Sequence, residues 1–197
     1  MRILAAAAFV VAAPALADVS AGVSLLGGVQ GAAVTYEGGR AGQAFGQLAL
    51  AADLRPWRAL GFDAFVLGGA PLAGGGPAGA VSLGARVGAD FTNVDFRFGA
   101  LVNASPGAAT QVWPSFTVRA GAGDFRAVLG VFDVYGLVPA RLGVDWRGFG
   151  VALVPLGVEA HAVWPVSPAV NLSAEALAYT LLGAQFVDVL AGARWTL

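Results

Sequence analysis

The chain has 197 residues, 57% of them hydrophobic and only 12% charged, with a net charge of −1 and no cysteine. That charge content is about half the ~25% usual for soluble proteins. Near-neutrality gives no hint of a nucleic-acid partner, and the missing cysteines exclude disulfides and thiolate metal sites.

The first segment reads as an export signal. Met1-Arg2 is a short positive region, Ile3 to Ala13 is an apolar run, and Pro14 ends it before Ala15-Leu16-Ala17, an A-x-A cleavage site ahead of Asp18. The apolar core is shorter than the roughly 20 residues that a membrane helix needs. The expectation is a cleaved signal peptide over Met1–Ala17 and a single domain over 18–197, with no linker, no second domain and no lipobox cysteine.

No later stretch supplies 18 apolar residues free of Gly, Pro or charge; the nearest, Ala59 to Gly69, contains Asp63. What recurs instead is alternation, the mark of strands with one apolar face. Val19, Ala21, Val23, Leu25, Val29, Gly31 and Ala33 share one face of a long strand kinked at Gly27-Gly28, where a tight hairpin is the other possibility. Glu37-Gly38-Gly39 turns the chain. Ala44, Leu48, Leu50 and Ala52 then oppose Gln43, Gln47 and Asp53, and Asp53 to Arg58, with Pro56, reads as a turn. Leu60, Phe62, Ala64 and Val66 follow on one face, and Pro71 to Pro77 is a loop.

Val81 to Val102 is the clearest unit, a membrane-facing hairpin. Val81, Leu83, Ala85, Val87, Ala89 and Phe91 alternate with Ser82, Gly84, Arg86, Gly88 and Asp90. After Thr92-Asn93, Val94, Phe96, Phe98, Ala100 and Val102 alternate with Asp95, Arg97, Gly99, Leu101 and Asn103. A turn at Thr92-Asn93 would pair Phe91 with Val94, Ala89 with Phe96, Val87 with Phe98 and Ala85 with Ala100. It would also set Asp90 opposite Asp95, with Arg97 placed diagonally to compensate. Each strand has about ten residues, enough to cross a bilayer when tilted.

Ala104 to Thr110 is a second loop. Val112, Phe116, Val118 and Ala120 oppose Gln111, Ser115, Thr117 and Arg119, and Gly121 to Asp124 turns. Phe125, Ala127 and Leu129 face outward until a phase slip near Gly130 suggests a bulge. Ala140, Leu142, Val144 and Trp146 oppose Arg141, Gly143, Asp145 and Arg147. Gly148 turns, Phe149, Val151 and Leu153 follow, and Pro155-Leu156-Gly157 is a loop or bulge. Val158, Ala160 and Ala162 oppose Glu159 and His161, and Pro165 to Pro168 turns. Val170, Leu172, Ala174 and Ala176 oppose Asn171, Ser173 and Glu175. Last, Val187, Val189, Ala191, Ala193, Trp195 and Leu197 oppose Asp188, Gly192, Arg194 and Thr196.

This gives about twelve strands, or ten if weaker segments fuse, in an antiparallel up-and-down transmembrane β-barrel. Such barrels hide a strongly apolar surface in lipid while every backbone group pairs between strands. Trp57, Phe91, Phe125, Trp146, Phe149, Trp164 and Trp195 all fall near one set of alternate turns or the last strand's end, as an interfacial girdle would. The pattern resembles the broad class of small bacterial outer-membrane β-barrels. The resemblance implies outer-membrane lipid and the outer-membrane assembly machinery as partners. That class usually ends in an aromatic residue; here Trp195 has the right phase and Leu197 departs.

No cofactor motif and no catalytic pair stands out. A barrel lipase would resemble a His-x-Ser pair, but the residue two beyond His161, the only histidine, is Val163, and Ser167 lies in a turn. The inward charges are more informative. Arg86, Arg97, Arg119, Arg126, Arg141, Arg147 and Arg194 share a phase with Asp90, Asp95, Asp133, Asp145, Glu159, Glu175 and Asp188. They are expected to line a lumen with His161. Either they pair across neighbouring strands and knit the lumen shut, or they face water in a porin-like channel passing small solutes or ions. Inward glycines at 84, 88, 99, 143 and 192 are expected to leave open space and favour the channel, and Gly99→Ser is expected to be tolerated.

Overall fold

The computed structural model describes residues 19–57, 59–73, 76–88, 94–104, 107–132, 140–181 and 183–197. The signal segment Met1–Ala17, the Thr92-Asn93 turn, Asp90, Phe91 and Asp133 lie outside the described residues. Twelve strands form: β1 (Ser20–Tyr36), β2 (Gly39–Trp57), β3 (Leu60–Pro71), β4 (Ala78–Val87), β5 (Val94–Ala104), β6 (Gln111–Ala122), β7 (Phe125–Val131), β8 (Arg141–Trp146), β9 (Phe149–Val154), β10 (Gly157–Ser167), β11 (Val170–Leu181) and β12 (Ala184–Thr196). Each pairs antiparallel with its chain neighbours, and β12 pairs back onto β1 from Gly22–Thr196 to Val34–Ala184, closing a barrel.

The alternation sorts the side chains as the sequence requires. Leu48, Leu50, Phe62, Leu83, Phe98, Leu142, Val151, Leu153, Leu172 and Val187 all point outward and are exposed. Their phase partners point inward. An outer wall so apolar matches hydrocarbon, and closure leaves no unpaired strand edge in it. Connections 72–77, 105–110 and 132–140 share one end of the barrel. The opposite end has two-residue turns except at 88–93, so it is the periplasmic end. Trp57, Phe125, Trp146, Phe149, Trp164 and Trp195 ring that end and are exposed. Phe149 and Trp164 meet edge to face at 6.0 Å.

Four local expectations change. The β4–β5 register is Val87–Phe96, Ala85–Phe98 and Leu83–Ala100, two residues from the expected pairing. Gly88, at φ +84°, ends β4 early and lengthens the connection. A shift of two leaves the faces unchanged, because side chains alternate with period two. The segments around Pro56 and Pro165 are not turns: β2 runs to Trp57 and β10 to Ser167, each with a register shift next to its proline. Proline offers no N–H to the ladder, so the strand bulges instead of ending. At Gly130 there is no bulge; β7 stays in register to Val131 against β6 and then leaves the sheet at Phe132, whose φ is +43°. Two other expectations hold: Gly27-Gly28 lies within one continuous strand, and the chain turns at Gly148, with Arg147 and Gly148 both at positive φ between β8 and β9.

Candidate functional site: the lumen

The lumen holds two kinds of surface. Toward the loop end it is apolar. Leu26, Ala49, Leu67 and Ala80 stand directly opposite one another on β1 to β4. Phe65, Leu101 and Leu190 complete one buried cluster with them, and Phe132 packs against it from beyond β7. Ala49 is 0% exposed, and Phe65 and Leu101 2%. Val154, Leu177 and Tyr179 form a second cluster, with Phe186 stacked on Tyr179 at 4.9 Å. At the loop-end mouth Phe132 stacks on Trp113, also at 4.9 Å.

Elsewhere the lumen is charged, and apart from the His161–Glu159 contact within β10 a set of ion pairs bridges alternate strands across the one between. Arg97 on β5 reaches Asp63 on β3, its Nε donating to Oδ1 and Oδ2 at 2.9 and 2.8 Å. Its Nη1 and Nη2 donate to Ser115 Oγ at 2.6 Å and Ser82 Oγ at 2.8 Å. Arg141 on β8 donates to Glu159 on β10 at 2.5 Å. His161 on β10 sits 3.3 Å from Asp145 on β8 and 3.7 Å from Glu159. Arg119 on β6 approaches Asp145 at 3.8 Å, and Arg126 on β7 approaches Asp95 on β5 at 3.5 Å. Arg194 on β12 donates to Asp53 on β2 at 2.7 Å.

Alternate strands are about 9.6 Å apart. A long side chain covers that span only by lying flat over the strand between, and glycine makes the room. A Cβ on Gly84 would stand 2.6 Å from the Arg97 guanidinium carbon. One on Gly22 would stand 2.7 Å from Asp53 Oδ1 and 2.9 Å from Arg194 Nε, and one on Gly150 would meet the His161 ring and stand 2.5 Å from Asp145 Oδ1. These inward glycines therefore make room for neighbouring side chains and do not leave empty space. At Gly143 a Cβ would lie 2.5 Å from that of Ala152, and at Gly99 and Gly192 it would collide with the carbonyls of Leu83 and Leu25. Even at Gly88 it would lie 2.7 Å from the Val94 carbonyl. Gly99→Ser is not the neutral change that phase alone suggested.

The expected lumen residues Arg86, Asp95, Arg97, Arg119, Arg126, Arg141, Asp145, Glu159, His161, Glu175, Asp188 and Arg194 all belong to this inward set. Arg119, Asp145, His161, Glu159 and Arg141 form one chain of contacts, with Glu175 opposite His161 in register. Asp188 accepts from Gln30 at 3.3 Å. Arg86 stands opposite Arg97, within electrostatic reach of Asp95 and Asp63, and Asp90 is outside the described residues. Arg147 is a correction: it lies in a periplasmic turn, donates to Asp124 at 2.8 Å and sits over the Trp146 ring at 5.5 Å. Asp63, Asp53, Ser82 and Ser115 were not singled out, although alternation places each inward. Both nitrogens of His161 face carboxylates, and Ser167 Oγ accepts from the Ala169 N–H at 3.3 Å.

No protein-family model matches the chain, and no curated protein sequence does. Among solved structures it is similar to the translocator domain of the autotransporter NalP from Neisseria meningitidis. The two are 12% identical over 98% of this chain and 93% of that one, with a TM-score of 0.51. It is also similar to outer membrane phospholipase A from Escherichia coli, 13% identical over 88% and 89% of the two chains, with a TM-score of 0.49. Neisserial surface protein A is 13% identical over 88% and 96%, with a TM-score of 0.35. At such identities the first likeness concerns the fold alone. Closed strand pairing, an apolar outer wall, an aromatic rim and that fold agree: the chain is a transmembrane β-barrel of the bacterial outer-membrane type.

Proposed function

We propose that the protein is a closed outer-membrane barrel with a structural or surface-binding role and no open aqueous path. One observation carries this reading: the buried apolar cluster inside the lumen, in which Ala49, Phe65 and Leu101 are at most 2% exposed. A hydrophobic constriction sheds water and so blocks ions. The ion pairs over Gly22, Gly84 and Gly150 add support, because they tie alternate strands together and fill the space that these glycines leave. Insertion by the outer-membrane assembly machinery belongs to the same reading.

Single-channel recording in a planar bilayer tests it. The wild-type barrel is expected to be silent, and the double variant Phe65→Ser/Leu101→Ser to conduct in discrete steps. Steps of similar size from the wild type would overturn the closed reading. The second reading is then the porin-like barrel, giving passive, weakly selective passage to small solutes or ions. What favours it is the charged part of the lumen, where Arg86, Arg97 and Arg119 line one cavity. On that reading, changing these three to Gln moves the reversal potential in a salt gradient toward cations. A lipid-active barrel has less support, since both ring nitrogens of His161 are engaged by carboxylates.

A further inference from the structure

The charged part of the lumen encloses a cavity of about 190 Å³ lined by Arg55, Arg86, Arg97, Arg119, Arg141 and Arg194 against Asp53 and Asp63. These arginines are not equivalent. Arg97 has its Nε and both Nη groups committed to Asp63, Ser82 and Ser115. Arg194 is held by Asp53 and Arg141 by Glu159. Arg86 makes no hydrogen bond or ion pair with any described residue, faces Arg97 across the β4–β5 pair, and feels repulsion from Arg119 and Arg55 against attraction from Asp95 and Asp63. Arg119 Nε is buried without a hydrogen-bond partner, and its approach to Asp145 is 3.8 Å long.

We infer that this cavity is a binding site for a small multivalent oxyanion, with Arg86 and Arg119 as its donors. Two guanidinium groups forced together away from bulk water are unfavourable when nothing lies between them. An oxyanion accepts charge-assisted hydrogen bonds from both planar groups and relieves their repulsion. At about 30 Å³ per water, the cavity has room for such an ion with part of its hydration shell. The acidic residues on its wall are already spent on Arg97 and Arg194, so an incoming anion meets a positive field. The site does not depend on whether the apolar layer seals the lumen.

The test uses the whole barrel, folded in detergent, with inorganic phosphate as the probe and chloride at matched ionic strength as the reference. Calorimetric titration is expected to show saturable phosphate binding, and the unfolding midpoint should rise with phosphate as a ligand of the folded state requires. Arg86→Gln and Arg119→Gln should each weaken binding at least tenfold. Arg147→Gln, in an exposed turn, should leave it unchanged. Heat-modifiable gel migration reports that each variant is folded. Absence of saturable binding beyond chloride in the wild type would overturn the site, as would equal affinity in both lumen variants. Neither result bears on closure, which conductance decides separately.

Discussion

Gly84 shows how a residue without a side chain can organise a lumen. It is inward by phase, and it looks like empty space only until its neighbour is counted: the Arg97 guanidinium occupies that space on its way to Asp63. Gly84→Ala is therefore expected to displace Arg97 and lower stability by about 1–3 kcal/mol, the usual cost of overpacking. Gly68→Ala, where nothing stands within 4 Å, should be close to neutral. Urea unfolding of the two variants compares them, and equal losses would refute the niche. The Arg141–Glu159 pair makes a second case, its side chains being 5% and 1% exposed. Glu159→Ala leaves a buried cation poorly compensated, at a cost of about 3–5 kcal/mol. Arg141→Met/Glu159→Leu should recover most of that loss, and a double mutant as weak as the single one would count against this account. That these residues point inward was legible from alternation. Which carboxylate each arginine meets was not, because the partners sit two strands away.

At the scale of strands, the period-two pattern identified the outward set, and a register error of two residues in the β4–β5 hairpin left that set intact. Phe98 tests the assignment: it lies outward in mid-β5, 53% exposed and 5.1 Å from Phe116. Phe98→Arg places a charge in hydrocarbon and is expected to cost about 2–4 kcal/mol and to impair insertion. Thr117→Arg, on the lumen face, would tell whether inward volume is as restrictive as outward polarity; Phe98→Arg inserting as well as wild type would show that the phase is wrong. The wall is also uneven. β1 and β2 have 17 and 19 residues, β8 and β9 only 6 each. At about 3.3 Å per residue, six residues reach roughly 20 Å. Backbone amides of β8 and β9 should therefore exchange hydrogen faster than those of β1 and β2, as mass spectrometry can measure. Prolines at 56 and 165 were misread because, in a sequence, a proline marks both the end of a strand and a bulge within it.

For the whole molecule, closure has a measurable consequence. With its apolar wall in lipid and β12 paired to β1, the barrel should leave membranes only with detergent and migrate differently on gels before and after boiling. A monodisperse protein without detergent would contradict the membrane barrel altogether. The same closure turns inward apolar residues into a barrier. Phe65 and Leu67 come from β3, Leu101 from β5 and Phe132 from beyond β7, and only the closed sheet brings them into one cluster.

Much of this protein was determined by its sequence alone. Twelve alternating segments, an apolar outer face, the long loops at 72–77 and 105–110, and aromatic residues at one rim all follow from local pattern, because a strand's faces are set by backbone geometry. Even the apolar layer left a trace, in runs such as Ala64 to Leu67 and Val189-Leu190 that keep both faces apolar. Tertiary structure decided the rest. Strand tilt and stagger put Arg97 over Gly84, His161 between Asp145 and Glu159, and Arg86 beside other arginines. Those contacts depend on how far each strand slides past its neighbour, a quantity summed around the whole barrel and carried by no single segment.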